Sequence, residues 1–305
     1  MEQFNTYMVS EEEDGERLDK LLTFVVQGRS RSFLQKLFKE QRVLVFGKPV
    51  KASYRVGSGD VICFSIPEKI LPDILPEDIP LDILYEDEDV LVVNKPKNMV
   101  VHPAPGHYSG TLVNAVMYHC GSSLSGINGV LRPGIVHRID KDTTGSVIIC
   151  KNDNAHQSIA EQLKEHSIVR RYRAIVYGTI REDDLTINAP VGRDPKDRKK
   201  MAVTPDGKSA VTHVHVLQRY RDYTYVECRL ETGRTHQIRV HMAYIHHPLL
   251  GDETYATGRT SPFHLEGQCL HAMILGFRHP LTGQYIETTA PIPSYFERLL
   301  EIMPL

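Results

Sequence analysis

His137, Arg138, Asp140, Lys141, Asp142, Thr143 and Thr144 fall within eight positions, between Ile135-Val136 and Gly145-Ser146-Val147-Ile148-Ile149-Cys150. The flanks are apolar and β-forming, which predicts strand, loop, strand. A connection needed only for geometry favours Gly, Asn, Ser and Pro. This one places acid, base and hydroxyl groups on a short loop pinned between buried strands, where catalytic side chains commonly sit. Asp140 is the candidate nucleophile or essential carboxylate. A glycosidase-type pair with Asp142 does not fit, because such carboxylates flank a bond from opposite sides, not from one loop two residues apart. The competing reading is a solvated charged turn.

The elements that must position this loop follow from hydrophobic spacing. Leu18, Leu21, Leu22 and Val25 share one helical face, and Phe33, Leu34, Leu37 and Phe38 share another after Ser30, a suitable N-cap. Val43–Phe46 and Asp60–Phe64 are predicted strands, with a Gly47-Lys48-Pro49 turn after the first. From Arg29 to Arg55, eight Lys and Arg residues stand against one acid, Glu40. A solvated helix face normally mixes both signs, and an ordinary basic surface is the alternative. Residues 1–14 are expected to be an acidic tail. Pro67, Pro72, Pro76 and Pro80 mark residues 67–80 as a semi-extended linker between residues 15–66 and a larger domain, 81–305.

In the larger domain Ile83–Tyr85 and Val90–Asn94 form a predicted hairpin. Further strands are expected over 169–178, 209–220, 223–230, 269–277 and 284–289. Helices are expected over 111–120, 154–164 (burying Ile159, Ala160 and Leu163), 235–245 and 293–302. Many antiparallel strands with few helices give an α+β class: a mixed, mainly antiparallel sheet domain beside a small N-terminal α/β domain.

His137-Arg138-Ile139-Asp140-Lys141-Asp142-Thr143-Thr144-Gly145 resembles the H-R-L-D-x-x-T-S-G signature of the RluA/RluD-type pseudouridine synthases, departing from it at Ile139 and Thr144. Thr232-Gly233-Arg234-Thr235-His236-Gln237-Ile238-Arg239 resembles the family's T-G-R-x-H-Q-I-R motif, and Tyr85–Pro96 resembles the opening of its catalytic domain. The likeness extends over about residues 15–290. It implies that Asp140 is the catalytic carboxylate and that Arg239 pairs with it through a two-pronged hydrogen bond. It also implies that Tyr172 lies against the target base and that Arg138 fills the gap left by a flipped nucleotide. Residues 15–66 resemble the small RNA-binding domain named after a small-subunit ribosomal protein. Expected RNA contacts there are Arg29, Arg31, Lys36, Lys39, Arg42 and Lys48. In the loop Gly192–Lys200, which resembles a basic run of the family's larger members, they are Arg193, Arg198, Lys199 and Lys200.

The implied reaction isomerises uridine to pseudouridine: the N-glycosidic bond breaks, the uracil turns, and a carbon–carbon bond forms. It needs no cofactor. The implied partner is large-subunit ribosomal RNA or its precursor particle, with a monomeric protein expected. A synthase acting on tRNA and a non-catalytic RNA-binding protein on the same fold are the alternatives. Net charge over the 305 residues is −2, which alone would discourage an RNA partner. The distribution matters more, since residues 1–14 carry five acids and no Lys or Arg, whereas residues 15–69 carry eleven cations against five acids. Cys63, Cys120, Cys150, Cys228 and Cys269 form no Cys-x-x-Cys pair, which points to reduced thiols and a cytoplasmic location. No apolar run approaches the ~18 residues of a membrane span. The histidines, His213 and His215 on one strand and others from His236 to His279, match no metal-ligand spacing, so no metal is expected.

Overall fold

A computed structural model describes the chain except residues 1–3, 27, 29, 68–73, 104–106, 130–131 and 198–199. It divides into two compact units, Met1–Pro72 and Asp73–Leu305. In the first, β1 (Phe4–Met8) precedes helices α1 (Leu18–Val25) and α2 (Arg31–Lys39), and strands β2 (Val43–Val45), β3 (Lys48–Pro49) and β4 (Val61–Ser65) follow. The antiparallel sheet runs β1-β4-β2-β3. Its core is the set that the helical spacing selects: Leu18, Leu22, Leu34 and Leu37 packed with Val43 and Ile62. Ser30 caps α2, its hydroxyl accepting from the Phe33 amide at 3.3 Å.

Two expectations need correction here. Phe4–Met8 is not tail but the edge strand of the sheet, paired with Val61–Ser65 in full register. Four of the five acids lie in the turn that follows, Glu11–Asp14, where a run of Glu hides the strand's signal. The cations are also less concentrated than their count suggests. Arg31 reaches the buried Asp19 at 3.5 Å, while Glu40 meets both Lys36 at 3.5 Å and Arg42 at 3.3 Å. Lys39 and Lys48 are exposed; Arg29 lies outside the described residues.

The larger unit contains β5 (Ile83–Glu86), β6 (Val90–Lys95), α3 (Leu112–Cys120), β7 (Thr144–Cys150), α4 (Asp153–Lys164) and β8 (Val169–Tyr177). It continues with β9 (Asp184–Asn188), β10 (Val191–Arg193), β11 (Met201–Val203), β12 (Val211–Arg219), β13 (Tyr223–Leu230), α5 (Gln237–Tyr244), β14 (Leu270–Arg278), β15 (Tyr285–Thr289) and α6 (Ser294–Ile302). The main sheet runs β5-β6-β7-β14-β8-β13-β12-β9, with β15 also on β14. Every pairing is antiparallel except β7 with β14.

Both faces of this sheet are covered, which explains continuous apolar runs in place of alternation. Leu91, Val93, Val147 and Ile149 pack with Val113 and Val116 of α3 and with Ile238 and Met242 of α5. Val90, Val92 and Ile148 pack on the other face with Ala155 and Ile159 of α4. Ala160 is exposed, contrary to expectation, and Ala155 and His156 are buried instead. The β9 strand and the β10–β11 hairpin were not anticipated. The basic run Gly192–Lys200 is the far end of that hairpin: Arg193 is exposed, Lys200 is half-buried, and Arg198 and Lys199 lie outside the described residues. Residues 74–80 are not free linker either. Ile74 is buried in the main core, and the carbonyl of Leu75 accepts from Asn114 at 2.8 Å.

The junction that holds the Asp140 loop is Gly145. It adopts φ +109° where β7 meets β14, and a Cβ there would collide with the Ala272 backbone. Gly145→Ala should therefore lower the unfolding free energy by about 3 kcal/mol or more, combining left-handed strain with a clash that only backbone movement relieves. Urea unfolding reads this directly; a loss under about 1 kcal/mol would mean the junction is pliable.

Candidate active site

Asp140 sits at the end of an irregular segment, for only Ile135 of the expected first strand makes a bridge, to Ile149. The Asp140 carbonyl accepts from the Thr143 amide at 3.1 Å, so the loop closes as a turn into β7. Its carboxylate is half-buried and accepts one hydrogen bond, from Nη1 of Arg239 at 2.9 Å. The expected two-pronged bond goes elsewhere. Nε and Nη2 of Arg239 fork onto Asp252 at 2.7 and 2.9 Å. Asp252 has a fully buried side chain and also accepts from the amides of Thr254 and Tyr255, at 2.9 and 3.0 Å. The Tyr255 ring lies 5.0 Å from the guanidinium carbon. Burial works against the Arg239 charge, but the Asp252 contacts and then Asp140 outweigh it, and the pKa of Arg239 is raised.

Arg239 is 6% exposed, so it is no surface cation of its helix. Residues Gln237–Met242 of α5 are all buried, which fits a helix enclosed on most sides rather than the one-sided packing expected. The helix starts two residues later than the spacing suggests, because His236 takes φ +56° and turns the chain. Gln237 then ties the helix start to the sheet. Its Oε1 accepts from the Thr232 hydroxyl and the Arg234 amide at 2.7 and 3.0 Å, and its Nε2 donates to Val211 and Thr212 at 3.0 Å. The Tyr255 hydroxyl accepts from the Met201 amide at 2.9 Å and shares a hydrogen bond of 2.8 Å with Nδ1 of His236. The other ring nitrogen, Nε2, lies 3.7 Å from Asp140.

Asp140, Arg239 and His236 line an open cavity together with Arg138, Ile139, Thr143, Tyr172, Leu230, Arg234 and Leu270. Tyr172 arrives there by register. On β14, Ala272 pairs with Gly145 on one side and with Tyr172 of β8 on the other. Burial, with Asp140 adding to it and Arg170 opposing, raises the Tyr172 pKa and keeps the phenol protonated. Arg138 is exposed at the cavity wall. Sequence reasoning thus placed four residues around one cavity and missed His236, Gln237, Asp252 and Tyr255. An acid following the apolar pair Leu249-Leu250 and the turn residue Gly251 was the one local hint of Asp252.

A model of the RNA pseudouridylate synthase family matches residues 89–244, and one of the S4 domain matches residues 16–62. A Bacillus subtilis protein, the uncharacterized RNA pseudouridine synthase YlyB, is 56% identical over 96% of this chain and 95% of its own length. The ribosomal large subunit pseudouridine synthase D of Zymomonas mobilis is 45% identical over 97% of this chain and 96% of its own. This chain belongs to the RNA pseudouridine synthase family. It is an isomerase that converts uridine to pseudouridine in RNA. A solved structure of human RNA pseudouridylate synthase domain containing 1 shares the fold, with TM-score 0.59 and 24% identity, over 75% of this chain and 97% of that one.

One further residue holds the synthase's loop. Lys95, at the end of β6, is fully buried and donates to the carbonyls of Pro96, Met99 and Lys141, at 2.8, 2.8 and 3.0 Å. Burial pulls its ammonium down to about 7, opposed by Asp142 and Asp140. Three carbonyls are thus gathered on one ammonium, and one of them belongs to the residue after Asp140. Elsewhere Asp87, Asp89 and His279 bring ligand-type atoms together. Nδ1 of His279 accepts from the Leu281 and Thr282 amides, which leaves the ring proton on Nε2 aimed at Asp87, so no lone pair is offered to a metal. Among the described residues, no helix is long and apolar enough to cross a membrane.

Two outcomes follow from the geometry. Asp252→Asn removes charge but little shape, so it should slow single-turnover isomerisation at least tenfold while RNA affinity stays within about twofold, because the fork that aims Arg239 is weakened. Arg239→Lys, which has no fork, should show the same split; a wild-type rate in both would remove any role for this aim. Lys95→Met strands buried carbonyls, each worth about 1–3 kcal/mol, and should depress both thermal stability and rate. A variant as stable as wild type would show those carbonyls have other partners.

Proposed function

We propose that Asp140 is the carboxylate that carries out the isomerisation, on uridines of large-subunit ribosomal RNA. The observation that carries this reading is the convergence of a guanidinium-held carboxylate and an aromatic ring on one small cavity. Attack by Asp140 on the sugar or the base, or removal of a ribose proton, each uses a carboxylate oxygen, and Arg239 holds that carboxylate in place through one bond of 2.9 Å. Tyr172 presents its face to the uracil, which must detach, turn and rejoin through carbon without leaving the cavity. Apolar walls at Ile139, Leu230 and Leu270 suit a planar base and leave it free to rotate. Arg138, exposed at the wall, is placed to stack in the gap that extrusion leaves in the RNA.

The relatives named ribosomal large subunit pseudouridine synthase D, 42% to 45% identical, support the substrate class. The S4 domain at residues 16–62 supports an RNA partner contacted outside the catalytic cavity.

Pseudouridines are to be mapped in ribosomal and transfer RNA from cells lacking the synthase and complemented with wild type or Asp140→Asn. Loss at large-subunit positions, restored by wild type only, is the expected result. The purified variant should fold normally and turn over about a thousandfold slower or worse. Restoration by Asp140→Asn would dismiss Asp140, and losses confined to tRNA would dismiss the substrate.

A further inference from the structure

A groove sharing Arg138, Asp140, Tyr172, Arg234 and His236 with the base cavity continues past it toward Lys164 and Arg170. Its lining cations are Arg138, Lys164, Arg170 and Arg234, and its one acid, Asp140, is already bonded to Arg239. Lys164 has its own partner in Glu161, at 3.0 Å. Arg170 does not. It is 7% exposed and makes no ion pair among the described residues. Its Nη2 donates to the Glu231 carbonyl at 2.9 Å, and its buried Nε has no hydrogen-bond partner.

A buried cation with no counter-ion is costly. Burial presses against the Arg170 charge, Tyr172 offsets part of that, and the nearby Arg234 cation adds a smaller penalty. His137 beside it offers no anion: its Nε2 accepts from the Ile148 amide, and the ring stays neutral, with a pKa near 4 from burial and from Arg170 itself. The glycine of Thr232-Gly233-Arg234 fits the same picture. A Cβ on Gly233, which lines the groove, would come within 2.6 Å of Arg170 Nη1, so a side chain there would displace the end of the guanidinium.

We propose that Arg170 and Arg234 form an anion site for a backbone phosphodiester of the RNA, beside the nucleotide whose base enters the Asp140 cavity. The inference rests on the reading that this groove receives RNA. A planar guanidinium fork matches two phosphate oxygens, and the missing counter-ion is then supplied by the substrate. The site lacks a counter-ion before binding and is neutralised after it. Every nucleotide carries such a group, so the contact positions RNA without reading its sequence.

The test uses the full chain carrying Asp140→Asn, so that binding is read without turnover, and a nine-residue oligouridylate as probe across a salt series. Arg170→Gln should weaken binding at low salt about tenfold and reduce the slope of log affinity against log salt by roughly 0.7, the single-strand value for one phosphate. Arg170→Lys should restore most of the slope, and Arg234→Gln should lose a similar amount. Replacing the oligouridylate phosphates with neutral methylphosphonates should abolish the difference between Arg170→Gln and its parent. An Arg170→Gln slope equal to the parent's, with an unchanged thermal midpoint, would overturn the site. If Arg170→Gln does not fold, an unchanged slope in Arg234→Gln overturns it equally. Failure to map any large-subunit pseudouridine would sink the substrate reading while leaving this binding result standing.

Discussion

One buried guanidinium held between two carboxylates organises this active site. Arg239 has donors along two edges of a plane, and the edge that offers a fork is spent on Asp252, not on Asp140. Asp252 is in turn fixed by two backbone amides, so the guanidinium cannot swing. The remaining Nη1 then gives Asp140 its direction. A single bond leaves that carboxylate with lone pairs facing the cavity, which a two-pronged clamp would have consumed. Burial alone would discourage the Arg239 charge; two nearby carboxylates reverse that balance.

The sheet supplies what the ion pairs cannot, a common frame for groups far apart in the chain. Lys95, Gly145, Ala272, Tyr172 and Cys228 pair in succession across β6, β7, β14, β8 and β13. Paired residues share a face, so the lysine that gathers the loop carbonyls and the tyrosine at the cavity wall stand in one row. The only parallel pairing of the main sheet falls in that row, at Gly145 and Ala272, where the chain passes too close for a side chain. Loop, the Tyr172 ring at the cavity wall and loop anchor are therefore set by one register. A slip of one residue would send Tyr172 to the opposite face.

Charge is distributed by the same economy. Asp140 is the single acid along the groove, and it is neutralised by Arg239 from behind. The cations of that groove face space that a polyanion would enter. In the N-terminal unit, by contrast, Asp19 and Glu40 take up part of the positive charge that a residue count suggests.

Local pattern was enough for much of this. The spacing of Leu18 to Phe38 gives two helices, the second capped by Ser30, the run Val90–Asn94 gives a strand buried on both faces, and the signature around Asp140 with its partner motif around Arg239 carries the family. Helical and strand periods are properties of neighbours, so one chain suffices to see them. The acidic turn after Phe4–Met8 concealed a strand because five residues are too few to show a period against flanking charge. The role of Asp252, the fork it takes from Arg239, the gathering of carbonyls on Lys95 and the unpaired burial of Arg170 were decided only by tertiary structure. Each depends on which atoms meet after the chain closes, across 99 residues between Asp140 and Arg239 and 46 between Lys95 and Lys141. A guanidinium offers the same donors to any carboxylate, and the fold alone chose which received the fork and which was left free to react.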